Sequence, residues 1–276
     1  MRPIKEQTIL ITGATSGLGR ELAQALAKQG ATLLLHGRDA GRGLETVRQI
    51  KEATGNDHIE LFCADLSSLR EVNELAQAVL SRVTRLDVLV NNAGVGFGKD
   101  ISRREISQDG HELRFAVNYL AAYLLTERLI PLLKASAPAR IVNVASVGQA
   151  PLQFDDLMFT SGYAGVTAYR RSKLAMVAWT FDLAERLAGT GVTVNALHPA
   201  SLMPTKMILE AGWQTMSTVE EGLNATLILV VDPELENVTG EFFDGLNLSK
   251  ANAQAYDRNV QHWLAALSRQ LVSNLG

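Results

Sequence analysis

The sequence contains a single cysteine, Cys63, among its 276 residues. One cysteine excludes an intrachain disulfide and a thiolate metal cluster. Its surroundings, Leu61-Phe62-Cys63-Ala64, are typical of a buried strand, in which a free thiol is expected to act as a small apolar side chain. The five histidines lie far apart, without the spacing of metal ligands, so we predict no metal site.

The sequence also lacks long apolar runs and long basic runs. No apolar stretch reaches the length of a membrane-spanning helix, and residues 1–7 lack the apolar region of a signal peptide. Basic pairs such as Arg103-Arg104 are too short to bind a polyanion, so no nucleic-acid partner is predicted. With 47% apolar and 20% charged residues and a net charge of −3, the composition indicates a soluble, cytoplasmic protein with no membrane span.

Apolar runs typical of buried parallel strands alternate with helical patterns along the chain. Strands are predicted at 8–12, 31–36, 59–64, 86–91, 140–145, 192–197 and 240–243, and helices at 17–29, 43–53, 69–83, 111–134, 167–188 and 253–271. Neither a linker nor a repeat interrupts this order. We therefore predict one domain over residues 1–276, with a substrate lid near 200–222 and a C-terminal helical tail over 252–273.

A glycine-rich turn joins the first strand to the first helix. It reads Gly13-Ala14-Thr15-Ser16-Gly17-Leu18-Gly19. Glycines let the backbone approach a pyrophosphate, and a helix N-terminus offers free N–H groups and the positive end of its dipole. The turn therefore predicts a phosphate site for a dinucleotide.

The second strand ends in Gly37-Arg38-Asp39, beside the expected place of the adenosine ribose. An arginine there pairs with a 2′-phosphate, whereas a carboxylate accepts from a 2′-hydroxyl. Arg38 favours NADP(H), while Asp39 leaves NAD(H) as the less favoured alternative, and Arg38 can also be a solvated residue at a helix start. Asp65, followed by Leu66 after the third strand, can accept from the adenine amino group or cap the next helix.

Two further strand ends carry residues suited to a cofactor. Asn91-Asn92-Ala93-Gly94 follows the fourth strand, where small side chains allow close approach and asparagines can tie neighbouring strands together. His198-Pro199-Ala200 follows the sixth strand. Because open α/β sheets build their sites at the carboxyl ends of strands, Ser146 after the fifth strand is a further candidate.

Tyr169 and Lys173 lie four residues apart on a predicted helix and therefore share a face. A nearby cation favours the phenolate, and lowering a phenol pKa by about 3 units takes roughly 4 kcal/mol. Asn118 lies inside the preceding long helix, where an asparagine is mildly unfavourable unless it is solvated or has a polar task.

Together these residues resemble the classical short-chain dehydrogenase/reductase family over essentially the whole chain. Residues 12–19 resemble its cofactor turn, 91–94 its fourth-strand motif, and Asn118, Ser146, Tyr169 and Lys173 its catalytic tetrad. The resemblance implies a single-domain, doubly wound α/β fold of the Rossmann type, with about seven parallel strands and helices on both faces. It also implies cofactor contacts from the residues of the glycine turn and from Arg38, Asp65, Leu66, Asn92, Ala93, Gly94, Tyr169, Lys173 and Pro199.

The long loop after Ser146, the His198-Pro199 pair, residues 240–243 and the C-terminal tail are similar to the retinol-dehydrogenase-like branch. That branch implies NADP(H) and carbonyl groups on apolar small molecules. One position departs from the family, since Ala200 stands where glycine is usual. The predicted substrate pocket is built by residues 95–106, 148–166 and 201–219.

The resemblance implies that Tyr169 donates a proton to the developing alkoxide while a nicotinamide delivers hydride to a carbonyl carbon. Ser146 would bond the same oxygen, and Lys173 would lower the pKa of Tyr169 and bond the nicotinamide ribose. Asn118 would hold a water molecule that links Lys173 to solvent. Alternatives are a non-catalytic NADP(H)-binding sensor or scaffold and a reductase of sugar or polyketide carbonyls. A homo-oligomer paired through the helices of Asn118 and Tyr169 also stays open.

Overall fold

A computed structural model describes residues 1–273 of the chain. Its centre is one sheet with the strand order β3-β2-β1-β4-β5-β6-β7-β8, in which the first seven strands are parallel and β8 runs antiparallel to β7. The strands are β1 Thr8–Ile11, β2 Thr32–Gly37, β3 Ile59–Cys63, β4 Val88–Asn91, β5 Ala139–Val144, β6 Val192–His198, β7 Phe242–Asp244 and β8 Asn247–Ser249. The predicted parallel sheet is confirmed, with β8 as an additional edge strand.

Helices cover both faces of the sheet. They are α1 Gly17–Lys28, α2 Ala40–Thr54, α3 Leu69–Arg82, α4 Leu113–Phe115, α5 Ala121–Ala135, α6 Gly165–Arg186, α7 Lys206–Glu210, α8 Val219–Val231 and α9 Arg258–Val272, with a π-helical turn at Ala116–Leu120 and short 3₁₀ helices at Ile4–Glu6, Pro233–Leu235 and Ala253–Tyr256. The predicted helix over 111–134 is thus divided by the π turn. Helix α8 is absent from the predicted elements, although Thr218 and Glu221 form a capping box at its start.

Two apolar cores lie on opposite faces of the sheet. Ile9 and Ile11 face the core formed with α1, α2 and α8, whereas Leu10 between them faces the core formed with α3, α5, α6 and α9. Successive side chains of a strand point to opposite faces, so a strand covered on both sides is apolar at most positions, including consecutive ones. This explains why the sequence shows continuous apolar runs for the central strands.

Cys63 is exposed, which contradicts its predicted burial. It is the last residue of β3, and β3 forms one edge of the sheet. An apolar run predicts a strand, but it does not show that the strand lies at an edge, where its final side chain reaches solvent.

The order of the strands reverses between β1 and β4, which lie side by side in the sheet. Open α/β sheets bind ligands at such a switch point, outside the carboxyl ends of the strands. The glycine turn, Asn92, Ser146 and Pro199 all follow strand ends at this edge. Among residues 1–273, no helix is both long and apolar enough to cross a membrane.

Candidate active site

The glycine turn packs directly on the backbone that follows β4. A Cβ atom at Gly13 would lie 2.8 Å from the Ala93 Cα atom, and one at Gly19 would lie 2.4 Å from Asn92 Nδ2. Gly13 also has a φ of +66°. Both positions therefore need glycine, because a side chain would push the two strand ends apart.

Hydrogen bonds join the same two strand ends. The Thr12 hydroxyl oxygen accepts from the backbone N–H groups of Asn92 and Ala93, each at 3.0 Å. In return, the Asn92 amide donates to the carbonyl oxygens of Thr12 at 2.8 Å and Gly13 at 3.2 Å. The turn is thus held in place before any ligand binds.

His36 holds the other side of the turn. Its Nδ1 accepts from Gly13 N–H at 3.2 Å, so the ring proton is on Nε2, which donates to the Ala64 carbonyl oxygen at 3.0 Å. Burial lowers the pKa of His36 and favours this neutral ring. No role is predicted for His36 from the sequence, in which its position near the end of β2 is the only signal.

The surroundings of the turn fit a dinucleotide. Ser16 precedes the first turn of α1, whose N–H groups face the glycine-rich loop. A Cβ atom at Gly37 would lie 2.4 Å from Thr15 Cγ2, so the loop and the end of β2 are in close contact. Gly17 has a φ of +52°, and Leu18 and Gly19 are buried in α1. These features form a cradle of backbone suited to a pyrophosphate.

The structure separates the roles of Arg38 and Asp39. The Asp39 carboxylate accepts from Arg42 N–H at 2.7 Å and caps α2, whereas Arg38 is exposed. Asp65 accepts from Ser67 N–H at 2.9 Å, and the cap of α3 is Ser68 rather than Asp65. Leu66, also predicted at the cofactor, has a buried side chain in the core.

Tyr169 and Ser146 lie together at the end of β5. The Ser146 hydroxyl lies beside the Tyr169 phenol and accepts from Gly148 N–H at 3.0 Å. Burial raises the pKa of Tyr169 to about 12, and the nearby Ser146 hydroxyl opposes this rise only in part. The phenol therefore keeps its proton at neutral pH.

Lys173 lies beneath the tyrosine. Its Nζ atom is 5.7 Å from the centroid of the Tyr169 ring and donates to the Val144 carbonyl oxygen at 2.8 Å. Burial lowers the pKa of Lys173 to about 8. Desolvation of the phenol dominates the pKa of Tyr169, and the lowering effect of Lys173 stays a prediction.

Asn118 lies in the π-helical turn and is fully buried. Its Oδ1 accepts from Val95 N–H at 2.7 Å, and its Nδ2 donates to the Val95 carbonyl oxygen at 3.1 Å and to Ser172 Oγ at 3.0 Å. A Cβ atom at Gly94 would lie 3.3 Å from Asn118 Oδ1 and 3.7 Å from Lys173 Nζ. The polar task of the side chain is thus to hold the loop after β4 against the helix of Tyr169.

An apolar wall stands beside the tyrosine. The Phe97 ring meets the Tyr169 ring edge-on, with centroids 4.9 Å apart, and stacks on Trp213 at 4.4 Å. Met207 of α7 packs so closely on Gly96 that a Cβ atom there would lie 2.5 Å from Met207 Cγ. Two of the three predicted pocket segments, 95–106 and 201–219, therefore meet at Tyr169.

The third predicted pocket segment, 148–166, has contacts in two different parts of the structure. Near its end, Tyr163 donates to Glu112 Oε1 at 2.9 Å, and the Gly165 backbone lies against the Phe97 carbonyl oxygen. In its middle, Phe154 contacts Trp263 of α9. Only part of this segment thus adjoins the wall, and the rest packs on the C-terminal helix.

A family model described as short chain dehydrogenase matches residues 7–212. The chain belongs to the short-chain dehydrogenase family. This short-chain dehydrogenase is 35% identical to human retinol dehydrogenase 13 over 98% of its own length and 85% of the relative. That similarity supports the retinol-dehydrogenase-like branch.

Solved structures agree with the fold of this short-chain dehydrogenase. An uncharacterised protein from Mycobacterium paratuberculosis superposes with a TM-score of 0.78 at 29% identity, covering 97% of this chain and 94% of the other. The Pseudomonas aeruginosa RhlG/NADP active-site complex superposes with a TM-score of 0.71 at 27% identity, covering 88% and 97%.

The structure brings Asn118, Ser146, Tyr169 and Lys173 to one edge of the sheet, next to the glycine turn. Pro199 follows β6 at the same edge, 3.5 Å from the position of a Cβ atom at Gly222. Sequence analysis did not assign roles to Ser172, Phe97 or His36. Ser172 precedes Lys173 directly, so its position was a signal, whereas the contact of Phe97 depends on how a loop folds.

Proposed function

We propose that this short-chain dehydrogenase is an NADP(H)-dependent oxidoreductase that converts the carbonyl group of an apolar small molecule into an alcohol. The observation that carries the proposal is the placement of Ser146, Tyr169 and Lys173 at one strand end, with Lys173 Nζ 5.7 Å from the centroid of the Tyr169 ring and Phe97 against the same ring. Burial holds the pKa of the phenol at about 12. A phenol that stays protonated at neutral pH suits a general acid that protonates a developing alkoxide. A bound nicotinamide cofactor supplies the hydride for this reaction.

Each residue of the tetrad has a distinct part in the proposal. Tyr169 gives its proton to the substrate oxygen, and Ser146 donates a hydrogen bond that holds this oxygen beside the phenol. Lys173, largely cationic below pH 8, holds the cofactor ribose and favours proton loss from Tyr169 once charge develops. Asn118 fixes the loop after β4, and its role in holding a water molecule stays a prediction.

The proposed cofactor preference rests on the end of β2. Asp39 is engaged in capping α2, so the exposed guanidinium of Arg38 is the group that would meet a 2′-phosphate. The glycine cradle and the N-terminus of α1 would hold the pyrophosphate. The RhlG complex with NADP supports the same choice by similarity.

The proposed apolar substrate rests on the wall of Phe97, Trp213 and Met207. Trp213 is 39% exposed and Met216, on the same segment, is 74% exposed, so the predicted lid near 200–222 carries exposed apolar side chains. The similarity to retinol dehydrogenase 13 supports this substrate class. We assign the lid function to this segment, and the cytoplasmic location and the homo-oligomer stay predictions.

The deciding experiment follows NADPH oxidation by absorbance with a panel of apolar and polar aldehydes and ketones. Wild type should turn over apolar carbonyls, and Tyr169→Phe should lose about 10²- to 10⁴-fold in kcat while binding NADPH with unchanged affinity. Tight NADPH binding without turnover of any carbonyl or alcohol would instead support a sensor. Preference for sugar or polyketide carbonyls would contradict the apolar pocket.

A further inference from the structure

The C-terminal tail, residues 252–272, packs closely on the elements that carry the candidate site. Tyr256 stacks on Phe181 of α6 with ring centroids 4.8 Å apart, and Trp263 meets Phe154 at 4.6 Å. Leu264 of the tail is 1% exposed. The tail is therefore part of the packed structure around the catalytic helix.

A short hydrogen-bonded path connects the tail to Ser146. The backbone N–H of Asn252 donates to Gln149 Oε1 at 2.8 Å, and Gln149 Nε2 donates to the Ser146 carbonyl oxygen at 2.8 Å. Both ends of one side-chain amide are thus engaged, one by the tail and one by Ser146. The Ser146 hydroxyl in turn lies beside the Tyr169 phenol and lowers its pKa.

A second path connects the tail to the π-helical turn of Asn118. The Tyr119 hydroxyl lies 2.7 Å from Ser268 Oγ, and both residues are fully buried. The Ser268 hydroxyl donates to the Leu264 carbonyl oxygen at 2.8 Å, so Tyr119 is the donor to Ser268. Helix α9 thereby supports the turn beside Asn118.

We propose that the tail is a positioning element of the active site and that Gln149 is the positioning residue for Ser146. The Ser146 hydroxyl must lie within hydrogen-bond reach of both the phenol and the substrate oxygen, and a displacement of about 1 Å can cost about 10²-fold in rate. Gln149 holds the backbone carbonyl group of Ser146, while Gly148 N–H holds its hydroxyl oxygen. The catalytic part of this inference rests on the proposed function.

The test compares Gln149→Ala and Gln149→Glu with Gln153→Ala, an exposed glutamine in the same loop. Glutamate can accept from Asn252 N–H, but its carboxylate has no N–H to donate to Ser146. Both Gln149 variants should lose about tenfold in kcat, with NADPH Kd within about twofold of wild type and little change in Tm. Gln153→Ala should match wild type.

The hydrogen bond from Asn252 N–H to Gln149, at the tail end of the first path, is tested by comparing Asn252→Pro with Asn252→Ala. The φ of Asn252 is −55°, which proline can adopt, so proline removes the N–H donor with little strain. Both variants lose the side-chain cap that accepts from Gln254 N–H, and only the proline variant also loses the hydrogen bond to Gln149. Asn252→Pro should therefore be slower than Asn252→Ala, and its combination with Gln149→Ala should be no slower than either alone.

Hydrogen exchange supplies a readout that does not need turnover. The Gly148 N–H, which donates to Ser146 Oγ, should exchange faster in Gln149→Ala and in Asn252→Pro, but not in Gln153→Ala. If wild type turns over no carbonyl, the proposed function fails and exchange alone decides the positioning. The inference would be overturned if Gln149→Ala and Asn252→Pro both kept the wild-type kcat and the wild-type exchange rate of the Gly148 N–H.

Discussion

The amide of Asn118 donates to the hydroxyl of Ser172 at 3.0 Å, and that hydroxyl donates to the backbone carbonyl oxygen of Tyr169 at 2.7 Å. Because Asn118 also binds both backbone polar groups of Val95, one side chain ties the loop after β4 to the helix of the catalytic pair. The geometry of Tyr169 and Lys173 thus depends on Ser172, which is three positions from Tyr169 and adjacent to Lys173.

Ser172→Ala should weaken this link. Ser172 is fully buried, so its loss leaves one Asn118 N–H without its acceptor and should lower the free energy of unfolding by about 1–3 kcal/mol. We also expect kcat to fall several-fold. Denaturant unfolding and NADPH oxidation check both effects. Ser81→Ala, on an exposed face of α3, is the matched control, and equal stability of the two variants would contradict the prediction.

Lys173 should make stability depend on pH. Its pKa is about 8 in the folded chain and about 10.5 when unfolded, so between these values the unfolded state binds more protons. Stability from this group therefore rises with pH across that window, by up to about 3 kcal/mol. Unfolding free energies at about pH 7.5 and about pH 9.5 should show about 2 kcal/mol of this gain in wild type and none of it in Lys173→Met. If wild type and Lys173→Met gained the same stability with pH, the gain would come from other titrating groups.

Gly19→Ala should destabilise the protein, whereas Gly41→Ala should stabilise it. A Cβ atom at Gly19 meets Asn92 Nδ2 at 2.4 Å and the Gly13 carbonyl oxygen at 2.5 Å, so alanine should cost about 1–3 kcal/mol and weaken NADPH binding. At Gly41, in the first turn of α2, the nearest atom is 3.6 Å away, so alanine should stabilise by about 0.5 kcal/mol. Thermal unfolding and NADPH titration compare the two, and a tolerated alanine at position 19 would refute the close packing of the turn.

Arg38→Ser should weaken NADPH binding by about 10- to 100-fold, because a charge-assisted bond to the 2′-phosphate is lost. NADH affinity should not change. Arg42→Ser removes another exposed arginine of the same region and should leave both affinities near wild type. Titration of the three proteins with both cofactors gives the comparison. Equal losses of NADPH and NADH affinity in Arg38→Ser would count against a 2′-phosphate contact.

The sequence predicts the central strands well because both faces of the sheet are covered, which makes most positions of these strands apolar. It fails at the margins of the sheet. The strand Asn247–Ser249 has three residues and little apolar character, and the exposure of Cys63 depends on the position of β3 at the edge. Short elements and edge positions are decided by tertiary packing rather than by local pattern.

The candidate site, like the sheet, could be predicted from the sequence only in part. The order of Asn118, Ser146, Tyr169 and Lys173 along the chain predicts which elements carry them. Spacing alone also suggested that Lys173 lowers the pKa of Tyr169, but burial of the phenol raises it to about 12. Desolvation depends on atoms from distant parts of the chain, such as Phe97, and therefore cannot be found from the separation of two residues.

The contacts of residues 252–272 also set an order of events during synthesis. A ribosome makes the strands β1 to β6 and all four tetrad residues before it makes Asn252 or Ser268. A nascent chain that ends before this segment already contains the sequence of all eight strands, yet Gln149 and Tyr119 still lack their partners. Completion of the surroundings of Ser146 and Asn118 is therefore a late step of biogenesis, and premature termination near the end of the message removes contacts at the centre of the molecule.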